Sequence, residues 1–243
     1  MLTVQNDAHL DPKRAEEERI RFAYARRKEG SLYSLFSPGH LFIIQECERR
    51  ILALLKRYGH DCLEGRTILD IGCGKGFWIL ELIQWGARPE NLAGIDLLPE
   101  QIAEARQLCP AGVKLLCGNA AKLDFSDGVF DLVIQATAFT SILDMNMKLA
   151  VASEMLRVLK KGGLILWYDY SVNNPLNPDV RGVSRKEISQ LFPGCQIDLE
   201  RITLAPPVLR FLARYSRLAC TILSGLPFLC THYVGVIQKK GDA

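Results

Sequence analysis

The clearest chemistry in the chain lies where glycines and carboxylates meet at fixed spacing. The run Ile68-Leu69-Asp70-Ile71-Gly72-Cys73-Gly74-Lys75-Gly76 sets an apolar stretch against glycine at every second position. Glycines there remove each Cβ where a chain turns sharply from strand to helix, and they let a ligand touch backbone. The free N–H groups at the start of the next helix then favour an anionic group. Asp70, two residues before the first glycine, suits an ammonium-bearing ligand better than a pyrophosphate. A G-x-G-x-x-G dinucleotide fingerprint would need its third glycine at position 77, which is Phe77; here it stands at Gly76. Asp96 ends a second apolar run, 26 residues after Asp70. A carboxylate at such a strand end can accept both hydroxyls of the ribose of an adenosine-containing ligand. A tight turn without ligand, and a capping role for Asp96, are the plain structural alternatives.

These residues need strands that end at one edge of a sheet. Residues 1–62 read as a helical N-terminal cap, with Leu41 to Leu55 apolar at helical spacing and Ser31–Gly39, containing Tyr33, Phe36 and Pro38, as a loop. The charged stretch around Glu16-Glu17-Glu18 reads as a solvated, frayed helix. From 63 to 243 the texture is α/β. Apolar runs at 67–71, 92–96, 113–117, 129–135 and 164–168 read as strands, with helices at 77–85, from Pro99, and at 146–159 between them. The last of these helices would bury Leu149, Ala152, Leu156 and Leu159 and stop at Lys160-Lys161-Gly162. Alternation of this kind implies right-handed crossovers and a parallel sheet with helices on both faces. Further strands are expected at 196–203 and 231–237, with a lid helix at about 207–224.

Composition narrows the class. Of 243 residues, 49% are hydrophobic and 23% charged, which suits one sizeable core, and a net charge of +3 argues neither for nor against nucleic acid, whose binders usually show a concentrated basic face. The eight cysteines show no C-x-x-C pair, and their apolar settings predict reduced, buried thiols rather than a zinc site. A charged start and the lack of ~18 uninterrupted apolar residues point to a soluble, cytoplasmic protein.

Taken in order, Asp70-x-Gly72-x-Gly74-x-Gly76, Asp96, Gly118-Asn119-Ala120, Phe130-Asp131-Leu132-Val133 and Leu156-Arg157-Val158-Leu159-Lys160-Lys161-Gly162-Gly163 resemble the class I S-adenosylmethionine-dependent methyltransferases of small-molecule type. The resemblance covers residues 66–170. It implies a Rossmann-like, seven-stranded, mostly parallel sheet whose last strand is antiparallel, and S-adenosyl-L-methionine as cofactor. It further implies that Gly72, Cys73, Gly74 and Gly76 hold the methionyl part, with Asp70 reaching its ammonium through a short bridge. Asp96 and Leu97 would take the ribose, Asn119 and Ala120 the adenine edge, and Tyr33 and Gln135 would add further cofactor contacts. Asn119 departs from the Asp usual in the family, though its side-chain carbonyl can still accept an amino proton. Lys161 stands where proline is usual.

In-line methyl transfer from a sulfonium needs alignment and exclusion of water, and a base only when the acceptor must lose a proton. His232, Asp169 and His40 are the candidates for that base. Thr137, Phe139 and Thr140, after the fourth strand, should face cofactor or acceptor. Asn173-Asn174-Pro175 resembles an amino-methylating signature only superficially, because that signature belongs after strand four, where Gln135-Ala136-Thr137-Ala138 stands. Since nothing resembles a polymer-binding module, the expected acceptor is a small or medium-sized molecule (a natural product, a saccharide or a lipid-linked compound) and not a nucleic acid, with oxygen taken as the methylated atom on its general frequency alone. Arg210, Arg214 and Arg217 at i, i+4, i+7 give residues 208–223 a basic amphipathic character. A lid over the acceptor is the first reading of that stretch, and contact with a membrane surface the second. A nicotinamide-dependent oxidoreductase and a non-catalytic cofactor-binding scaffold are the rival functions.

Overall fold

The computed structural model describes residues 12–27, 34–175 and 177–239. Its elements are α1 (Pro12–Ala25), α2 (Pro38–Arg57), β1 (Ile68–Ile71), α3 (Phe77–Gln84), β2 (Leu92–Asp96), α4 (Pro99–Leu108), β3 (Lys114–Cys117), β4 (Phe130–Ala136), α5 (Met145–Val158), β5 (Leu159–Tyr170), α6 (Arg185–Leu191), β6 (Cys195–Leu204), α7 (Pro206–Leu212), α8 (Arg217–Ser224) and β7 (Cys230–Lys239). The sheet order is β3-β2-β1-β4-β5-β7-β6. β1 to β5 pair in parallel, while β7 inserts antiparallel between β5 and β6. This is the expected seven-stranded, Rossmann-like α/β sheet with an antiparallel last strand.

All four residues of β1 are buried, as a central parallel strand covered on both faces requires. Ile68, Leu132, Ile134 and Val234 point into a core shared with α2, α3 and α4. Leu69, Ile71, Val133 and Trp167 point the other way, against α1, α5 and α6.

Several elements differ from the sequence reading. α1 is not a solvated helix: Glu16, Ile20 and Ala23 are buried. The Glu16 carboxylate accepts the backbone N–H of Leu143 at 2.6 Å and the Arg19 guanidinium at 2.8 Å, so a charge that looked surface-bound fastens the helix to the loop after β4. α5 ends at Val158 and the chain enters β5 directly at Leu159, which pairs with Phe130; the sheet absorbs Lys160–Gly163 through a bulge instead of leaving them as a helix stop. The buried face of α5 runs through Met147, Lys148, Val151, Ala152, Met155 and Val158, while Leu149 is exposed. Lys148 joins that face because Glu187 of α6 meets its ammonium at 2.6 Å, with Arg181 on the same carboxylate oxygen at 3.4 Å. The eight cysteines are free thiols, yet Cys62 and Cys117 are exposed.

The single lid helix is two short ones. Ser216 breaks the run and caps α8 by accepting the N–H of Ala219 at 3.1 Å, so Arg210, Arg214 and Arg217 do not share one helical face. α7 and α8 bury Leu209, Ala213 and Cys220 against Phe42 of α2 and Leu204 of β6.

The buried pair joining α5 to α6 gives a stability test. Glu187→Ala removes the one carboxylate in contact with the buried ammonium, leaving only the more distant charge of Asp169, and should cost about 3 kcal/mol. Lys148→Met with Glu187→Leu removes both charges and should cost far less; urea unfolding of the two variants measures the difference.

Candidate active site

The site grows from the turn between β1 and α3. Gly72, Gly74 and Gly76 have φ of 71°, 53° and 87°, the left-handed region that only glycine enters freely. The turn is pinned to the end of β2: the N–H groups of Gly72 and Cys73 donate to the Ile95 carbonyl at 2.8 and 3.1 Å. Gly74 N–H donates to Asp96 Oδ2 at 2.9 Å, and Leu98 N–H donates to Asp96 Oδ1 at 2.9 Å. One backbone donor on each oxygen fixes the carboxylate plane and leaves a lone pair on each for a diol. Burial raises the Asp96 carboxyl, and these two N–H groups oppose that rise.

The three glycines do different work. A Cβ on Gly72 would lie 2.8 Å from the Ala138 Cβ, and one on Gly76 would lie 2.5 Å from Cys109 Sγ. Gly76 is thus glycine because α4 packs against it. Only Gly74 has open space, its nearest neighbour being Gln101 Oε1 at 3.6 Å.

These elements wall a cleft at the carboxyl ends of β1, β2 and β4. Of the residues expected from sequence, Gly72, Gly74, Asp96, Leu97, Asn119 and Ala120 line it. Cys73, Gly76, Asp70 and Gln135 stand behind the wall, and Tyr33 lies outside the described residues. Cys73 turns its thiol toward Gly94 in the core. Gln135 is fully buried, and its Oε1 accepts the Ala138 N–H at 3.3 Å. The Asn119 carbonyl accepts the Ala121 N–H at 2.8 Å, while its amide donates to Glu17 of α1 at 2.6 Å. The Asn119 side chain therefore ties α1 to the cleft wall, and its carbonyl already serves the turn.

Sequence reasoning missed Ile20 and Tyr24 of α1, Gln101 of α4, and Met147 and Val151 of α5, all of which line the cleft. Only Gln101, in the first turn after Pro99, had a findable signal. α1 crosses the cleft under clamps on both sides. Glu17 holds Asn119, while Arg19 donates to the Ser141 carbonyl and the Tyr24 hydroxyl lies 3.2 Å from Ser141 Oγ.

After β4 the backbone bends sharply. Thr137 sits at φ 60°, a costly conformation for a β-branched residue, held by its N–H to the Tyr168 carbonyl at 2.8 Å. Thr137 lines the cleft; Phe139 and Thr140 are buried beneath it. Asp169 is fully buried and accepts from the Thr140 N–H and hydroxyl and from its own neighbour's N–H at Tyr170. Burial pushes its carboxyl up to about 6 despite those donors. His232 is buried between Tyr168, with which it stacks at 5.0 Å, and Tyr170, and burial pushes its imidazole down to about 3. His40 is on α2, lowered first by burial and then by Arg210. None of the three candidate bases lines the cleft.

Asp70 bears on what the cleft holds. It is buried behind the glycine turn, its Oδ2 has no partner, and burial, with Asp96 adding repulsion, raises it to about 7. A donor or cation near the turn would satisfy that oxygen. Together with the diol-ready Asp96 and the backbone opened at Gly74, this fits a molecule carrying both an ammonium and a ribose.

A parallel sheet with such a turn at its carboxyl edge defines the Rossmann-like nucleotide-cofactor class. Residues 68–163 match the family model of a methyltransferase domain. A 2-methyl-6-phytyl-1,4-hydroquinone methyltransferase of Synechocystis sp. is 35% identical over 133 residues, 52% of this chain and 40% of the relative. A demethylmenaquinone methyltransferase of Bacillus subtilis is 30% identical over 112 residues, 44% of this chain and 47% of the relative. The chain thus spans under half the length of these two curated relatives. Among solved structures, a methyltransferase dependent on S-adenosylmethionine from Methanosarcina mazei superposes with a TM-score of 0.56 at 22% identity, covering 74% of this chain and 95% of that one. One from Archaeoglobus fulgidus has a TM-score of 0.56 at 16% identity, covering 82% and 100%. Residues 68–163 thus match a methyltransferase domain, and the sheet has the fold of methyltransferases dependent on S-adenosylmethionine.

Two outcomes test the site. Asp96→Ala should weaken cofactor binding by about 2 kcal/mol, the size of a charge-assisted hydrogen-bond pair, in titration calorimetry. Asp70 has a carboxyl pKa raised from 3.8 to about 7 in the folded chain, so unfolded chains ionise first and the free protein loses stability as pH climbs between those values. A cationic ligand needs the ionised form, so its affinity should rise up to about pH 7 and then level. Asp70→Asn should flatten both profiles; an unchanged affinity profile in that variant would remove Asp70 from ligand binding.

Proposed function

We propose that this protein transfers the methyl group of S-adenosylmethionine to a small hydrophobic acceptor that carries a ring hydroxyl, of the hydroquinone type. The observation that carries this reading is a cleft whose floor suits the cofactor and whose other walls are apolar. Ile20, Tyr24, Ile142, Met147 and Val151 supply those walls, and Asp96 is the one charged side chain among the lining residues described. The curated relatives named for a phytyl hydroquinone and for demethylmenaquinone support the same acceptor class.

The cofactor supplies an electrophilic methyl on a sulfonium, which leaves as a neutral thioether. The protein's share is placement. Gly72 and Gly74 permit close approach of backbone, Asp96 orients the ribose, and Ala120 bounds the adenine edge with the wall that Asn119 braces. α1, clamped at Glu16, Glu17 and Arg19, shields the cleft from water, which favours transfer over hydrolysis. α1 accordingly serves as the cap over the cleft, while α2 packs into the core against β1 and β4. Asp169 is a positioning residue: by holding Thr140 it sets the strained Thr137 turn. With no base among the described lining residues, the acceptor must lose its proton readily, as a phenolic hydroxyl does. Oxygen is the acceptor atom expected from sequence; the ring carbon beside that hydroxyl is the second reading, which the quinone-named relatives favour.

Incubation with methyl-labelled S-adenosylmethionine and a short-tailed hydroquinone should give a labelled product, and its NMR spectrum separates oxygen from carbon methylation. If cofactor binds but hydroquinones, other phenols and saccharides all stay unlabelled, the reading falls in favour of a cofactor-binding scaffold.

A further inference from the structure

α7 and α8 bury one side and leave the other bare. Inward they contribute Leu209, Ala213 and Cys220. Outward, Phe211 is 63% exposed, Tyr215 76%, Leu218 70%, Ile222 62% and Phe228 74%. Phe211 and Tyr215 touch, with ring centroids 5.4 Å apart, and Leu218 and Ile222 are one turn apart on α8. Phe36, the most exposed of these at 99%, precedes Gly39 by three residues, and Gly39 packs directly on the Arg210 backbone. Large side chains grouped in this way mark a contact surface rather than scattered surface apolarity.

Charge identifies what covers it. From Arg201 to Lys239 the chain holds no Asp or Glu, while Arg210, Arg214 and Arg217 fall within or between the two helices. Arg214 and Arg217 are exposed. Of the neighbouring carboxylates, Glu46 is buried and Glu200 pairs with Arg50 at 3.6 Å. Bulky apolar groups ringed by arginine and free of carboxylates match an anionic bilayer, with rings among the acyl chains and guanidinium groups among the phosphates.

Topology gives the surface its bearing. β6 is antiparallel to β7, as β5 is, so β6 ends at the same sheet edge as β1, β4 and β5. α7 therefore starts at Pro206 beside the edge that holds the cleft. We propose that the outward face of α7, α8 and Phe228, with Phe36, docks the protein on an anionic phospholipid membrane with its cleft edge turned toward the lipid. The docking concerns binding alone and stands apart from the methyl-transfer reading.

Co-sedimentation tests it with vesicles of phosphatidylcholine alone and mixed with phosphatidylglycerol, at low and high salt. The wild-type chain should sediment with the mixed vesicles at low salt and be released by salt. Phe211→Ser with Leu218→Ser should lower that partitioning at least about tenfold, and Arg214→Gln should weaken it on mixed vesicles only. Melting curves with and without S-adenosylmethionine establish that each variant folds and keeps its cofactor site, so failed docking and failed cofactor binding read separately. Absence of binding to mixed vesicles at low salt, or equal binding by the double serine variant, overturns the proposal. So does a wild-type dimer, seen by sedimentation velocity, that the serines dissociate: a second copy of the chain would then be the occupant.

Discussion

Asp96 joins the two halves of the cleft, and most of the site's geometry follows from that. Its carboxylate takes one backbone N–H from the glycine turn and one from the start of α4. A single side chain thereby sets how the β1–α3 turn lies against the end of β2. A glycine-rich turn is entropically costly to order, since each glycine gives up more backbone freedom than any other residue. The carboxylate and the Ile95 carbonyl offset that cost by satisfying three consecutive N–H groups. Burial behind the same turn, with the Asp96 charge adding to it, is why Asp70 is held partly protonated until a positive charge comes near.

The far wall depends on a second buried carboxylate. Asp169, at the end of β5, holds Thr140 and so keeps the chain after β4 in a bend that Thr137 would not choose alone. Across the opening, α1 is tied to both walls, to Asn119 on the β3 side and to Ser141 and Leu143 on the β4 side. Strain after β4 and clamps on α1 are two sides of one constraint: an apolar cleft stays shaped only if its polar rim is saturated with hydrogen bonds.

His232 shows why residue type alone misleads about chemistry. Histidine is the usual candidate for a proton acceptor near neutral pH. Here it lies between two tyrosine rings with Thr231 Oγ1 3.0 Å from its Nδ1, and burial holds it neutral. It serves as packing at the start of β7. The expectation of a single helix over 207–224 failed for a related reason: helical spacing of three arginines assumes an unbroken helix, and Ser216 interrupts it.

What the sequence determined by itself was whatever local chemistry dictates. Alternating apolar runs and amphipathic segments specify parallel strands and crossovers, and glycine at 72, 74 and 76 specifies left-handed turns, so fold class and the floor of the cleft were legible. Asp96 stood out only beside the glycine turn, because a carboxylate at a strand end caps or turns as readily, and here it does accept two backbone N–H groups. Only tertiary structure decided what meets across the cleft. Nothing local to Glu16, Glu17, Ile20 or Tyr24 signals that α1 closes over residues more than ninety positions away, and Lys148 reads as a surface lysine until Glu187 is brought beside it. Asn119 looked free to bind until Ala121 and Glu17 took its amide. Long-range partners decide such roles, because a polar group is burdened or available only according to who stands next to it.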